Sequence, residues 1–452
     1  MAYDYDLFVI GAGSGGLAAA QRAVTYGASV AIAEQSKPGG ACVNHGCIPE
    51  KLLDYAAGFR NLEQVAVSYG WKESNREFDW SQFVRAEEQH IEHLNGVHLR
   101  HLQEGNIQVI QGQAHFLDAH TVTVGDRSIT AEKILIAVGA KPSKPSIPGI
   151  EHTITWHQLY HLPQQPKSLA VVGGDPIGVK ITGSINALGS NVTQIIPEDH
   201  ILAAFDAELA QEIQEQLSKQ GVQILPKTNV AKIEKTEKGL CLTLSNQSNS
   251  KQPSSLTVDA VLMDVPRKPN LAGLNLGKAN IQLTETGAIS VDESSRTTQS
   301  NIFAIGDCTG RIPLTPSAIA QGRAFADAEF GGKSSSVRLD WVPISLASQP
   351  EAATVGLSES QARQKFGDAV FCYQTRFRPL LYCLAAGNEQ MFVKAVVNRQ
   401  DSERVLGIHI MGDRAVDIVQ SLAVSLRLGV TKHDLDSAIG IHPSSAEEIF
   451  SL

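Results

Sequence analysis

Cys42 and Cys47 lie in a segment that also carries Gly39, Gly40, His45, Gly46, Pro49, Glu50 and Lys51. Their spacing puts two sulfurs about one helical turn apart. Gly46 is expected to relieve the backbone between them, and Pro49 suits the first turn of a following helix. A helix start stabilises a thiolate, the form that attacks disulfides. Zinc would need several ligands, and only His45 is near, so no metal is expected. A redox disulfide is favoured over zinc or a purely structural pair. Cys241, Cys308, Cys372 and Cys383 are scattered and read as inert thiols. Six cysteines in so long a chain are too few for a secreted disulfide framework.

Upstream, an apolar run from Asp6 ends in Gly11-x-Gly13-x-x-Gly16, then Leu17 to Gly27, then a second apolar run closing on Glu34. This order reads as strand, tight turn, helix, strand. Gly11 makes the turn, Gly13 lets the backbone approach a pyrophosphate, Gly16 allows close helix packing, and the helix N-terminus faces the negative charge. Glu34 stands where an acid can hydrogen-bond a ribose hydroxyl. A lone glycine fingerprint is often a plain turn; with these flanks it predicts dinucleotide binding.

A second copy begins at Ser168. It aligns Gly173 with Gly11, Gly178 with Gly16 and Gly189 with Gly27, but Asp175 with Gly13 and Ile196 with Glu34. The frame is kept while the contact residues change. Asp175 adds bulk and charge where a diphosphate needs bare backbone, and one like-charge contact at about 4 Å costs on the order of 4 kcal/mol at an effective dielectric near 20. That is roughly a thousandfold in affinity. The alternative is an Asp175 side chain turned to solvent. Ile196 offers no ribose acceptor, and residues 197–200 supply no arginine for a 2′-phosphate.

The run from Cys42 to Lys51 resembles the active disulfide of the flavin disulfide reductases, which include glutathione reductase, dihydrolipoamide dehydrogenase and mercuric reductase. The resemblance recurs at Ile134 to Gly139, Thr297 to Asp307, Leu314 to Arg323 and His442 to Glu448, so it covers nearly the whole chain. It implies FAD in the first nucleotide unit, contacted by Gly11, Gly13, Ser14, Gly15, Gly16, Glu34, Ala41, Cys42, Glu50, Lys51, Ala114, Gly139, Asp307 and Thr315. Asp307 would meet the ribityl chain. It also implies that Cys47 exchanges electrons with the flavin while Cys42 attacks the external disulfide. His442 and Glu447 would manage protons, since a carboxylate can fix a histidine tautomer and stabilise its charged form. By resemblance this pair comes from the partner subunit of a homodimer, and the His442–Pro443 bond can be cis.

The segment Leu314 to Arg323 and the C-terminal portion look most like glutathione reductase. Ser14, Arg22 and Arg323 fall where that enzyme approaches glutathione disulfide, and arginine suits carboxylates through its planar fork. Gln21 replaces an arginine, and His98 stands where an aromatic is usual. The last cysteine is Cys383, which excludes the tail-dithiol route of the large thioredoxin reductases.

Departures from the family pattern gather on the nicotinamide side. Besides Asp175, the tyrosine gate is Pro176, the following helix glutamate is Lys180, and Pro197 and Ala203 replace the arginines that grip a 2′-phosphate. The Ala-x-Gly-Arg-x-Pro-Asn motif has become Asp264, Val265, Pro266, Arg267, Lys268, Pro269, Asn270. Glu50 and Lys180 could form a reversed ion pair, or be two unrelated surface charges. NADPH use is therefore doubtful, and a redox protein or a dithiol working in reverse becomes a candidate electron donor. A conventional NADPH-dependent glutathione reductase and a flavin-bound sensor without turnover stay open. The substrate would be a small disulfide such as glutathione disulfide, or a protein disulfide.

These residues must be positioned by an α/β fold of two Rossmann-like dinucleotide-binding domains and a C-terminal α+β dimerisation domain. Expected boundaries are 1–152 for the FAD domain, 153–268 for the degenerate second domain, 269–338 for a return to the FAD domain and 339–452 for dimerisation. A helical insertion is expected from Phe83 to Leu102, a small strand region from Val109 to Ile129, a proline-rich linker from Ala140 to Gly149, and a polar hairpin loop from Ser245 to Ser255. The 452 residues, 42% of them hydrophobic, can fill such cores. A net charge of −9 argues against nucleic acid. Short, interrupted apolar runs argue against a membrane span. The first strand begins almost at once, so no signal peptide is expected and the location is cytoplasmic.

Overall fold

The computed structural model describes residues 3–72, 77–246, 254–333, 337–387 and 389–452. They form two compact units, one of Met1–Pro49, Gln82–Ser143 and Pro266–Leu339, the other of Glu50–Ser81, Lys144–Val265 and Asp340–Leu452.

In the first unit, parallel strands lie in the order Gln108–Gln111, Val30–Glu34, Tyr5–Ile10, Arg127–Ile136, and Ile302–Ala304 joins the last of these. The central stretches Leu7–Ile10, Val30–Ala33, Ile134–Ile136 and Ile302–Ala304 are apolar and buried because both faces are covered, as a parallel sheet requires. Alternate residues serve opposite cores. Phe8, Ile10, Ala31 and Ile134 pack toward the antiparallel strands Ala114–Phe116 and Thr121–Val124. Leu7, Val9, Ile32 and Leu135 pack toward the helices Ser14–Val24 and Thr315–Glu329. Small residues let those helices meet: a Cβ at Gly322 would lie 2.4 Å from the Gly15 carbonyl oxygen. The expected helical insertion is the helix Trp80–Glu104.

The second unit repeats the plan. Gln223–Leu225, Asn191–Ile195, Ser168–Val172 and Ala260–Met263 form a parallel sheet, followed by an antiparallel meander of Thr228–Thr236, Gly239–Asn246 and Ser255–Val258. The arms of the expected polar hairpin are the last two strands; residues 247–253 lie outside the described residues. A five-stranded antiparallel sheet follows, with Val393, Ile408 and Ile410 packed on Val419 and Leu426 of the helix Ala415–Leu428. This α+β domain is tied to the nucleotide half by a buried charge cluster. Lys394, 1% exposed, reaches Asp206 at 3.1 Å and Glu359 at 2.8 Å. Breaking one such buried partner typically costs about 3–5 kcal/mol.

One local expectation changes. The stretch expected as a linker begins as a strand, because Ala140–Pro142 pairs antiparallel with the returning segment Arg267–Pro269. In the cysteine segment the chain turns between the two cysteines at His45 and Gly46, as expected, and the left-handed residues Gly39 (φ +100°) and Gly40 (φ +64°) add a sharper bend before them.

Candidate active site

The first glycine loop is a bare-backbone cradle. Gly11 has φ +105°, and a Cβ there would lie 2.6 Å from the Ala137 carbonyl oxygen. Gly16 supports the packing role expected of it, since its Cβ would fall 2.0 Å from Gly11 O. Gly13 is the extended residue before the helix Ser14–Val24, and no side chain caps that helix. Its first-turn N–H groups therefore suit the diphosphate of a dinucleotide. Glu34 closes its strand and accepts from the N–H of Ala12 at 2.8 Å and of Ser36 at 2.8 Å.

That loop also holds the cysteine segment. Gly13 and Gly39 form a bridge, Gly39 N donates to Ala12 O at 2.8 Å, and a Cβ at Gly40 would lie 2.7 Å from Gly13 Cα. Cys42 lies in the short helix Gly40–Asn44, and Cys47 is the first residue of the helix Cys47–Ser68, with Pro49 in its first turn. Neighbouring Cys47 first, then burial, pushes the Cys42 thiol up, while the Thr315 and Ser14 hydroxyls act in the opposite sense. Cys47 is the more exposed cysteine, with its sulfur 3.5 Å from Thr315 Oγ1.

Asn44 and Asn95 are residues that sequence reasoning missed. Buried Asn44 donates to Gly40 O at 3.0 Å and to Pro38 O at 3.2 Å, and accepts from Asn95 Nδ2 at 3.0 Å. This locks the cysteine helix to the helix Trp80–Glu104. No spacing pattern marks a bond between residues so far apart in sequence.

Asp307 follows left-handed Gly306 and accepts from Arg267 Nη1 at 2.8 Å, while Arg267 Nη2 donates to Pro313 O at 2.8 Å. Burial raises the Asp307 carboxyl and Arg267 acts against that. A Cβ at Gly139 would meet nothing within 4 Å. Ala114 is buried in its strand, whereas Ala41 is exposed. The glycine cradle, uncapped helix and half-buried acid fit FAD.

Beside the cysteines a cleft is lined by Ser14, Gln21, Arg22, His98, His101 and Arg323. All three expected substrate residues thus share one cleft. Arg22 Nε is already engaged by Asp327 at 2.6 Å, and Tyr26 also donates to that carboxylate, at 2.6 Å. Burial and neighbouring His101 push His98 down.

The second cradle keeps the frame, with Gly173 at φ +125° and Gly189 at φ +99°. Asp175 is exposed and extended at φ −77°, and its side chain makes no cap bond. A different acid takes the helix start. Asp264 Oδ2 accepts from the N–H of Asp175 at 3.0 Å and of Gly178 at 3.1 Å. Asp175 is turned outward, as in the alternative the sequence left open, and Asp264, directly after the strand Ala260–Met263, holds those donors. Burial first, then Asp175, pushes the Asp264 carboxyl up to about 7.

Pro176 opens the helix Pro176–Ala187. Lys180 Nζ lies 3.0 Å from Glu50 Oε1, the reversed pair that the sequence suggests. Lys51 pairs instead with Asp54 at 2.6 Å. Ile196 is fully buried in the core, and Pro197 and Ala203 are exposed, while Asp199, two residues after Pro197, is bound to Lys227 at 2.6 Å. Pro266 is exposed, and its carbonyl accepts from Ser143 N at 3.0 Å.

In the second unit, His442 Nδ1 lies 3.0 Å from both Glu447 carboxylate oxygens, and the His442–Pro443 bond is cis. The Ser444 N–H and His442 hold the Glu447 carboxyl below its usual range. His442 itself is 83% exposed, so its other ring nitrogen is accessible. Among the described residues no helix is long and apolar enough to cross a membrane, and no group of three or more His, Cys, Asp or Glu could hold a metal ion.

Residues 5–322 match the pyridine nucleotide-disulphide oxidoreductase family, and residues 342–451 match its dimerisation domain. The chain is 43% identical to the glutathione reductase of Nostoc sp. (strain PCC 7120), over 100% of both chains. It is 40% identical to the glutathione reductase of Burkholderia cepacia, over 100% of this chain and 98% of that one. The chloroplastic/mitochondrial glutathione reductase of Pisum sativum is 34% identical, over 100% of this chain and 82% of the other. The chain therefore belongs to the pyridine nucleotide-disulphide oxidoreductase family and is a flavin-dependent disulfide oxidoreductase.

Proposed function

We propose that the protein is a homodimeric, cytoplasmic, glutathione reductase-like enzyme that uses FAD to reduce glutathione disulfide or a similar small disulfide, with weakened use of NADPH and another electron partner. The observation that carries the reading is the contrast between the two glycine cradles: one bare and stitched to the cysteine pair, the other filled by an aspartate.

FAD would be held by the Gly11 to Gly16 cradle, Glu34, Gly139 and Asp307, and when bound it supplies the electron pair that opens the Cys42–Cys47 disulfide. The Cys42 thiolate attacks one sulfur of the external disulfide, forming a mixed disulfide and expelling one thiolate. His442, held by Glu447 and contributed by a second copy of the chain, gives that thiolate a proton. Cys47 then attacks the Cys42 sulfur, which closes the internal disulfide and releases the second thiolate. Arg22 and Arg323 would orient substrate carboxylates in the cleft beside Ser14.

Anaerobic mixing with NADPH and NADH, followed at the flavin band, tests the reading. The expected outcome is slow bleaching at micromolar coenzyme with full bleaching by a dithiol. Rapid bleaching by NADPH sinks it. The second reading, an ordinary NADPH-dependent glutathione reductase, is favoured by the full-length identity to glutathione reductases and by the retained Glu50–Lys180 charge balance. It predicts NADPH-driven glutathione disulfide reduction at ordinary rates. A flavin-bound sensor without turnover is disfavoured by the intact His442–Glu447 pair.

A further inference from the structure

The two nucleotide halves are structural twins, so each residue of the second cradle has a counterpart in the first. Ala137 N donates to Ile10 O at 2.8 Å, immediately before Gly11; Asp264 N donates to Val172 O at 2.9 Å, immediately before Gly173. A Cβ at Gly11 would lie 2.6 Å from Ala137 O, and one at Gly173 would lie 2.5 Å from Asp264 O. Asp264 therefore stands in the place of Ala137. In the first half that place carries a methyl group, and no side chain caps the helix start. In the second half it carries a carboxylate bonded to two N–H groups of the helix start, those of Asp175 and Gly178.

We infer that Asp264 is the specificity-determining residue of the second nucleotide half: its side-chain carboxyl group occupies the donors a dinucleotide diphosphate would use. This deepens the proposed weakening of NADPH use and rests on that reading. The physical basis is competition for one set of donors. A helix start favours negative charge near its first N–H groups. An incoming diphosphate must remove a carboxylate already bound there, and it meets the exposed Asp175 beside it. Displacing Asp264 also leaves a partly buried acid without those two bonds, which raises the cost further.

Isothermal titration of the FAD-loaded enzyme with NADPH and with ADP-ribose tests this for wild type, Asp264→Ala and Asp264→Asn. ADP-ribose carries the diphosphate without nicotinamide, so its binding is blind to the altered gate at Pro176. Asp264→Ala is expected to tighten both ligands at least tenfold. Asp264→Asn is expected to tighten them about threefold, because the amide loses the charge but still fills the cradle. Affinities within twofold of wild type in both variants would overturn the inference; if Asp264→Ala fails to retain FAD, the Asn variant decides. Tight NADPH binding by wild type would defeat the functional reading alone, since a tenfold gain on removing the carboxylate would still identify Asp264 as the obstruction.

Discussion

Lys180 Nζ and Glu50 Oε1 lie 3.0 Å apart, with side chains only 15% and 22% exposed. Glu50 follows Cys47 by one helical turn, so the pair joins the cysteine-bearing helix to the helix that opens the second cradle. A partly desolvated pair of this kind is costly to break from one side. Lys180→Met is expected to destabilise the protein by roughly 1–3 kcal/mol, and the exchanged double variant Glu50→Lys/Lys180→Glu to recover most of it. Denaturant midpoints of the single and double variants check this.

Cys42→Ser should lower turnover of glutathione disulfide at least a hundredfold, since Cys42 is the assigned attacking thiol. Cys47 remains, so dithionite-reduced and oxidised flavin spectra should still differ between Cys42→Ser and the Cys42→Ser/Cys47→Ser double variant. Persisting turnover in the single variant would reassign the exchange thiol.

His442→Ala removes the proposed proton donor, whose Nδ1 lies 3.0 Å from Glu447. General acid catalysis of this kind contributes about 10²–10⁴-fold. A loss of kcat in that range is expected, with a smaller loss for Glu447→Gln, which leaves the imidazole but weakens the hold on its Nδ1. Steady-state kinetics with a fixed dithiol donor provide the measurement.

Glu87, 2% exposed on the helix Trp80–Glu104, has no hydrogen-bond partner for either carboxylate oxygen among the described residues. Burial first, then Glu88, pushes it up to about 7 from an ordinary 4.5. A raised carboxyl favours folding most when neutral, so its contribution is fully present below pH 4.5 and is lost as pH rises through about 7. Glu87→Gln should therefore reduce the fall in melting temperature between pH 5 and 8, by a few degrees at pH 8. An unchanged pH profile would count against the burial of a charge at this position.

The local features were legible before the fold was known. Gly11 and Gly173 both have φ above +100°, as a tight strand-to-helix turn demands, and the helix starting at Cys47 agrees with Pro49 in its first turn. The Glu50–Lys180 pair was readable because two charges had exchanged places together. The bend at Gly46 was readable from the glycine between the two cysteines, while the left-handed conformations of Gly39 and Gly40 were not. The expected linker was misread because Ala140–Pro142 finds its strand partner at Arg267–Pro269, far along the chain.

By itself the sequence determined the two glycine turns, the reactive cysteine pair and the charge content of the second half, because each depends on residues within a turn or two of one another. Which acid enters the second cradle was decided only by tertiary structure. Asp175 sits in the fingerprint, yet Asp264 reaches Gly178 N across 86 positions of chain. Parallel strand pairing sets that meeting: the strand Ala260–Met263 lies against Ser168–Val172 and delivers its next residue to the helix start. The Asn44–Asn95 bond has the same origin, since helix packing brings together polar groups whose spacing in sequence carries no signal.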